Sequence, residues 1–313
     1  MAAGVETVLA GLLAVGLFAS GSVFPVLGIG LSLLSPLPLV ALRLRHGRGA
    51  LGLALVLAVL ALAVPLSWVQ ALVFLLEFGT PALLLAEGIQ RGARPEAVVI
   101  GVAMVLALGG VTVLVLEAGT WGQPQVAIQR HVDGLLTEME ALTARMGLPA
   151  EGGAPAETPT RKLRPVLLAG FPGFFFVGSL LTGAGYLLLL QGILRRWSAQ
   201  LGGVAAGSFR WELPELLVWA FIGSGLLYLT GVPSLLTVGL NGLIILIALY
   251  FLQGLSIAAF LFRRFQLPRF LATLSVVLLV FQPFFTLLVA GLGLFDVWFA
   301  FRHLSFPKTP RQT

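Results

Sequence analysis

Glu77 stands in the middle of an apolar run, in Leu75-Leu76-Glu77-Phe78-Gly79-Thr80-Pro81. A carboxyl group in that place could handle a proton or hold a ligand, because an ionisable side chain at a bilayer centre costs about 2.5–3.5 kcal/mol and persists where it has a role or an internal partner. Pro81 has no N–H, so the carbonyl oxygen of Glu77 loses the hydrogen bond it would accept in an unbroken helix. The competing reading is a neutral residue, hydrogen-bonded within the helix packing. A second group lies on the run 234–262, where Asn241, Gln253 and Ser256 fall within an arc of about 120° at 100° per residue. Such a stripe serves either as ligand contacts or as interhelical hydrogen bonds, each worth about 0.6 kcal/mol. Asp296 closes the last apolar run; Arg302 is offset from it around a shared helix and reads as an interfacial anchor. Arg210-Trp211-Glu212, with Pro214 at a helix start, could clamp a ligand or anchor the chain at the membrane surface. The candidate substrate-binding residues are therefore Glu77, Asn241, Gln253, Ser256, Asp296, Arg210 and Trp211.

Other chemistries lack their residues. There is no Gly-x-x-x-x-Gly-Lys phosphate loop and no His-Glu-x-x-His zinc pair, and cysteine is absent altogether. The three histidines, His46, His131 and His303, lie outside the apolar runs, so neither a serine–histidine dyad within the membrane nor a histidine metal site can be assembled. No catalytic residue, metal ligand or cofactor is expected, and the chain does not read as an enzyme. Its net charge of +6 does not point to nucleic acid, because the basic residues sit in short clusters between apolar runs, where they set membrane orientation.

The elements that must position these residues are transmembrane helices. Only 10% of the 313 residues are charged and 58% are hydrophobic, against roughly 25% charged in a soluble domain. The apolar runs approach the ~20 residues that a bilayer core demands. They predict an all-α polytopic bundle of eight to nine spans: 5–20, 23–42, 50–65, 69–89, 97–118, 165–192, 214–231, 234–262 and 270–294. Residues 5–42 can alternatively be read as one span with a re-entrant piece. The N-terminus lacks the basic start of a secretory signal, so the first helix is expected to stay in the mature protein. Breaks after alternate spans carry Arg43, Arg45, Arg48, Arg91, Arg94, Arg195, Arg196, Arg210, Arg263, Arg264 and Arg269, which predicts an arginine-rich cytoplasmic face and a cytoplasmic N-terminus. Trp68, Trp121, Trp197, Trp211 and Trp298 lie near predicted helix ends, as an interfacial aromatic belt requires.

One segment differs in kind. Residues 119–164 hold 10 of the 32 charged residues, five of each sign. Within them Ile128, Val132, Leu135, Met139, Leu142 and Met146 form an a/d-type stripe on an amphipathic helix over 126–147, followed by a flexible Gly- and Pro-containing linker. The domain organisation read from this pattern is a bundle over 1–118, a hydrophilic insert over 119–164, a second bundle over 165–302 and a polar tail over 303–313. Ala10 and Ala14, like Gly16 and Ser20, are small residues at four-residue spacing that would allow close docking of another helix.

The C-terminal third carries Phe209-Arg210-Trp211 with Pro214, then Asn241, then Leu249-Tyr250-Phe251-Leu252-Gln253-Gly254-Leu255-Ser256, then Leu292-Gly293 with Asp296 and Phe301-Arg302. Pro25 and Ser35-Pro36-Leu37-Pro38 followed by Arg43 to Gly47 complete the pattern. In these features the chain resembles the YybS-like family of uncharacterised bacterial polytopic membrane proteins, distantly similar to the S components of energy-coupling-factor transporters. The resemblance implies a plasma-membrane protein that binds a small molecule of the vitamin or cofactor-precursor type and works with a separate ATPase or coupling module. It implies a docking face on the first helix, at Ala10 and Ala14, and it names no substrate. The alternative is a non-transporting scaffold or assembly factor acting through the amphipathic helix. On either reading the lipid bilayer is a partner and nucleic acid is not.

Overall fold

The computed structural model describes residues 2–24, 27–65, 67–117, 119, 123–145, 162–197, 211–268, 270–271, 274–275, 279 and 282–299. Every regular element among them is a helix. Ala3–Gly21, Gly30–Ala63, Trp68–Gln90, Pro95–Leu116, Arg164–Arg196 and Pro233–Arg264 are long and apolar enough to cross a membrane, and Leu216–Leu229 and Phe284–Phe299 are shorter apolar helices. The all-α transmembrane bundle expected from the sequence is the fold. The chain divides into two compact units, Met1–Ser208 and Phe209–Thr313.

The first unit opens with α1 (Ala2–Val23), α2 (Leu27–Ser32) and α3 (Pro36–Ala63). α3 is not straight. Gly47 interrupts it at φ 86° and ψ −174°, a conformation that costs glycine little and any other residue much. Three contacts show how sharply the chain turns there. The Ser35 hydroxyl donates to the Ala14 carbonyl at 2.8 Å, and Glu6 pairs with Arg45 at 2.9 Å, so the first arm runs antiparallel to α1. Yet Gly11, three residues from Ala14, lies against the Ala54 backbone. On a straight helix residues 35 and 54 would be about 28 Å apart, while residues 11 and 14 of α1 differ by only about 4.5 Å. The second arm therefore doubles back along α1, and the sequence-predicted spans 23–42 and 50–65 lie on either side of Gly47.

α4 (Trp68–Phe74) begins at Ser67, whose hydroxyl accepts the Gln70 N–H at 3.2 Å. It widens into one π-helical turn, Leu75–Gly79, and continues as α5 (Thr80–Gln90). A turn at Gly92, φ 61°, leads to α6 (Pro95–Glu117). After α7 (Pro124–Arg145) comes α8 (Arg164–Trp197), which packs antiparallel to α6: Gly183 meets Val99 and Val102, and Phe175 meets Gly110. The Gly47 tip, the start of α1, the α5–α6 turn and the Arg195–Arg196 end of α8 consequently share one end of this unit.

α7 docks at the opposite end. Val132 and Leu136 are buried on Phe171, with Ile128, Leu114 and Leu167 around them. The docked line is 128–132–136 rather than the a/d stripe read from sequence: a row of four-residue steps faces α8, with Leu114 of α6 beside it. Leu135, Met139 and Leu142 are left 44%, 48% and 59% exposed. Met146 and the linker lie outside the described residues.

In the second unit α9 (Leu216–Leu229) turns at Gly231, φ 69°, into α10 (Pro233–Arg264), and α11 (Pro283–Phe299) crosses α10. Glycines set these contacts. A Cβ at Gly239 or Gly242 would strike Tyr228 or Ser224 of α9; one at Gly254 would strike the Val289 carbonyl, and one at Gly293 the Tyr250 carbonyl. With lipid outside as apolar as the side chains, close backbone packing of this kind is what holds helices together.

Candidate functional site

The residues before α9 do not join it as helix. Trp211 to Pro214 form a non-helical stretch, and Trp211 is fully buried. A buried non-helical backbone has N–H groups with no helical partner, and each must be satisfied by something else. α10 supplies the partners: Ser256 Oγ accepts the Trp211 N–H at 3.3 Å, and Gln253 Oε1 accepts the Leu213 N–H at 3.1 Å. The other end of the Gln253 amide donates to Asp296 Oδ2 of α11 at 3.3 Å. Gln253 and Ser256 are 3% and 6% exposed, whereas Asp296 is half-buried, so the cluster has a carboxylate on its open edge. Four of the sequence candidates, Trp211, Gln253, Ser256 and Asp296, thus meet in one hydrogen-bonded group.

The others fall elsewhere. Asn241 stands about 18 Å along α10 from Gln253 and donates to the Thr237 carbonyl one turn back, at 2.8 Å. Arg210 lies outside the described residues, as does Arg302. Trp211 departs from the aromatic belt expected of it, because the stretch it begins is drawn in against α10; Trp68 and Trp298 are 63% and 60% exposed. Glu77 belongs to the first unit, half-buried at the centre of the π turn. There the Leu75 carbonyl accepts both the backbone N–H and the hydroxyl of Thr80, the latter at 2.9 Å, and Pro81 follows with no N–H to offer. Across the wider ring the Thr80 N–H reaches the Leu75 carbonyl instead of that of Leu76, and Glu77 Oε1 faces Gly110 of α6. On α1, Ala14 is fully buried against α3, and Ala10 stays half-exposed beside Leu13, Pro38 and Ala41.

A second polar constellation escaped the sequence reading, which treated its arginines only as orientation signals. Glu87 Oε1 accepts Arg43 at 2.6 Å, and Arg48 binds both Glu87 oxygens at 2.9 and 2.7 Å. Arg91, four residues on and just past the end of α5, adds a contact of 3.3 Å. Three guanidinium groups thus share one carboxylate. Across the Gly47 tip, Glu6 holds Arg45 and His46 at 2.9 and 2.7 Å. The legible signal was Glu87 four residues before Arg91 at the end of a span, a favourable helical ion-pair spacing. On α7, outside the spans, Asp133 is gripped by two nitrogens of Arg164, the first residue of α8, at 2.6 and 3.0 Å, and its carboxyl is held below the ordinary range. Among the described residues no group of three or more His, Cys, Asp or Glu is placed to hold a metal ion.

No curated protein and no solved structure matches the chain. The family described as "Predicted membrane protein (DUF2232)" matches residues 12–297, nearly the whole length of both units, and the chain belongs to that family.

Proposed function

We propose that this integral membrane protein is the substrate-binding subunit of an uptake system for a small molecule of the vitamin or cofactor-precursor type. The observation that carries the reading is the buried non-helical stretch at Trp211, pinned by Gln253 and Ser256 beside the Asp296 carboxylate. Non-helical backbone held at membrane depth beside polar side chains is where secondary transporters build their sites. The π turn around Glu77 is a further departure from regular α-helix beside a carboxyl group. The shared arginine end of the first unit supports a plasma-membrane orientation with that end and the N-terminus in the bacterial cytoplasm. A chain without a phosphate loop would draw its power from a separate ATPase module, of the type that the distant resemblance read from the sequence, to S components of energy-coupling-factor transporters, implies. Thermal unfolding of the purified protein against a panel of vitamin and cofactor precursors tests this. A true ligand at 100 times its Kd adds about 2.7 kcal/mol, and Asp296→Asn should weaken that gain. Stabilisation by none of the panel, with no ATPase co-purifying, refutes the proposal.

A second reading, a membrane scaffold acting through α7, is favoured by the exposed Leu135, Met139 and Leu142. It requires that deletion of residues 126–147 abolish partner capture while membrane insertion persists. An unchanged set of captured partners rejects it.

A further inference from the structure

The groove between the second arm of α3 and α5 is apolar along its length and cationic at one end. Leu51, Gly52, Leu55 and Leu83 form its walls, and Arg48 and Arg91 stand at its mouth around Glu87, enclosing about 460 Å³. The two mouth arginines are 66% and 70% exposed, so their outer N–H groups are open to a further acceptor. Glu87 balances one of the three arginines bound to it, which leaves this end at about +2 by formal charge. From Arg48 to Leu55 the trough descends about 10 Å along the helix. The trough is open space at Gly52, where a Cβ built on the backbone would meet nothing within 4 Å, so only a long side chain there would fill it. On the same arm Leu53, Val56 and Leu60 are more than half exposed, as a surface turned to lipid requires.

We propose that this groove binds an anionic phospholipid, its phosphate bridging Arg48 and Arg91 and the start of one acyl chain lying over Gly52 against Leu51, Leu55 and Leu83. Charge complementarity selects the headgroup: guanidinium pairs bind phosphate through paired, charge-assisted hydrogen bonds, and a zwitterionic headgroup brings its own cation to a mouth that already has excess positive charge. The apolar trough selects a lipid over a free anion, because it rewards a chain attached to the phosphate.

The test is native mass spectrometry of the full chain in detergent, titrated with phosphatidylglycerol and with chain-matched phosphatidylcholine. Phosphatidylglycerol should be retained preferentially, and Arg48→Gln with Arg91→Gln should lower that retention by about ten-fold or more. This pair leaves Arg43 on Glu87, so the helix contact survives. Arg195→Gln with Arg196→Gln removes the same charge elsewhere and should leave retention unchanged. Gly52→Leu fills the trough without touching a charge and should also reduce retention. Equal retention of the two lipids, an equal loss in both arginine pairs, no effect of Gly52→Leu, or displacement of the lipid by an equal concentration of glycerol phosphate would each overturn the proposal.

Discussion

Replacing Gln253 by leucine keeps the side-chain size and removes both hydrogen bonds that the amide makes. The Leu213 N–H, on a residue only 8% exposed, then loses the acceptor at 3.1 Å, and a buried donor left unsatisfied costs about 1–3 kcal/mol. The contact to Asp296 is longer, 3.3 Å, and its acceptor is half-buried, so its loss adds about 1 kcal/mol at most. The expected destabilisation is roughly 1–4 kcal/mol, equivalent to a fall in Tm of about 2–16 °C at the 2–4 °C per kcal/mol typical of chains of a few hundred residues. Intrinsic tryptophan fluorescence during thermal unfolding in detergent reads it directly, since Trp211 is among the buried reporters. Thr182→Val, which removes only an exposed hydroxyl bonded within its own helix, should stay within about 0.5 kcal/mol of wild type. Combining Gln253→Leu with Asp296→Asn should cost less than the sum of the two, because each alone already breaks their shared bond. A Gln253→Leu protein with an unchanged Tm, or strict additivity with Asp296→Asn, would refute the view that this amide holds the stretch in place.

Three further outcomes are expected. Cysteines at Gly11 and Ala54, in a chain that has none of its own, should form a disulfide on mild oxidation, because the Cβ positions lie 3.8 Å apart; absence of the cross-link in non-reducing gels would mean that α3 does not double back. Gly254→Ala and Gly293→Ala should each destabilise by about 1–3 kcal/mol, seen as a lower Tm, whereas Gly291→Ala, which faces open space, should be near neutral; three equal values would deny the close crossing of α10 and α11. Arg164 lowers the Asp133 carboxyl in the folded protein, so the pair contributes stability above the unfolded pKa of about 3.9 and loses it as pH falls through the lower folded value. Limited proteolysis of α7 should therefore accelerate below about pH 4 in wild type and show no such step in Asp133→Asn; identical acid profiles would contradict the pairing.

Composition made the helix bundle legible, because apolar length is a direct requirement of the bilayer and needs no knowledge of tertiary contacts. The polar stripe at Gln253 and Ser256 was legible for the same reason: polar groups on an apolar helix must find partners. Their actual partners were not, because they are backbone N–H groups of a stretch 40 to 45 residues away, and no periodicity encodes which segment loses its own hydrogen bonds. Asn241 shared the stripe by angle and not by height, since a projection down the axis discards the distance along it. The π turn was foreshadowed by Pro81, whose missing N–H had to be accommodated somewhere upstream. Glu87 was passed over because at a span end a carboxylate beside arginines looks like ordinary interface chemistry; its convergence with Arg43 and Arg48 depends on the reversal at Gly47, which a lone glycine beside a histidine does not announce.

That reversal also bears on the order in which the chain is made. Arg43 and Arg48 emerge from the ribosome about forty residues ahead of Glu87, the carboxylate they finally share. While the α3 hairpin is entering the bilayer its tip therefore has nearly its full positive charge, with only Glu6 already synthesised to offset it. Positive charge in short loops governs which way a span inserts. On the orientation proposed above, the same arginines would act twice in succession, first as an unshielded signal for the hairpin's direction, and then, once α5 arrives, as a clasp that ties the finished fourth span to the loop that preceded it.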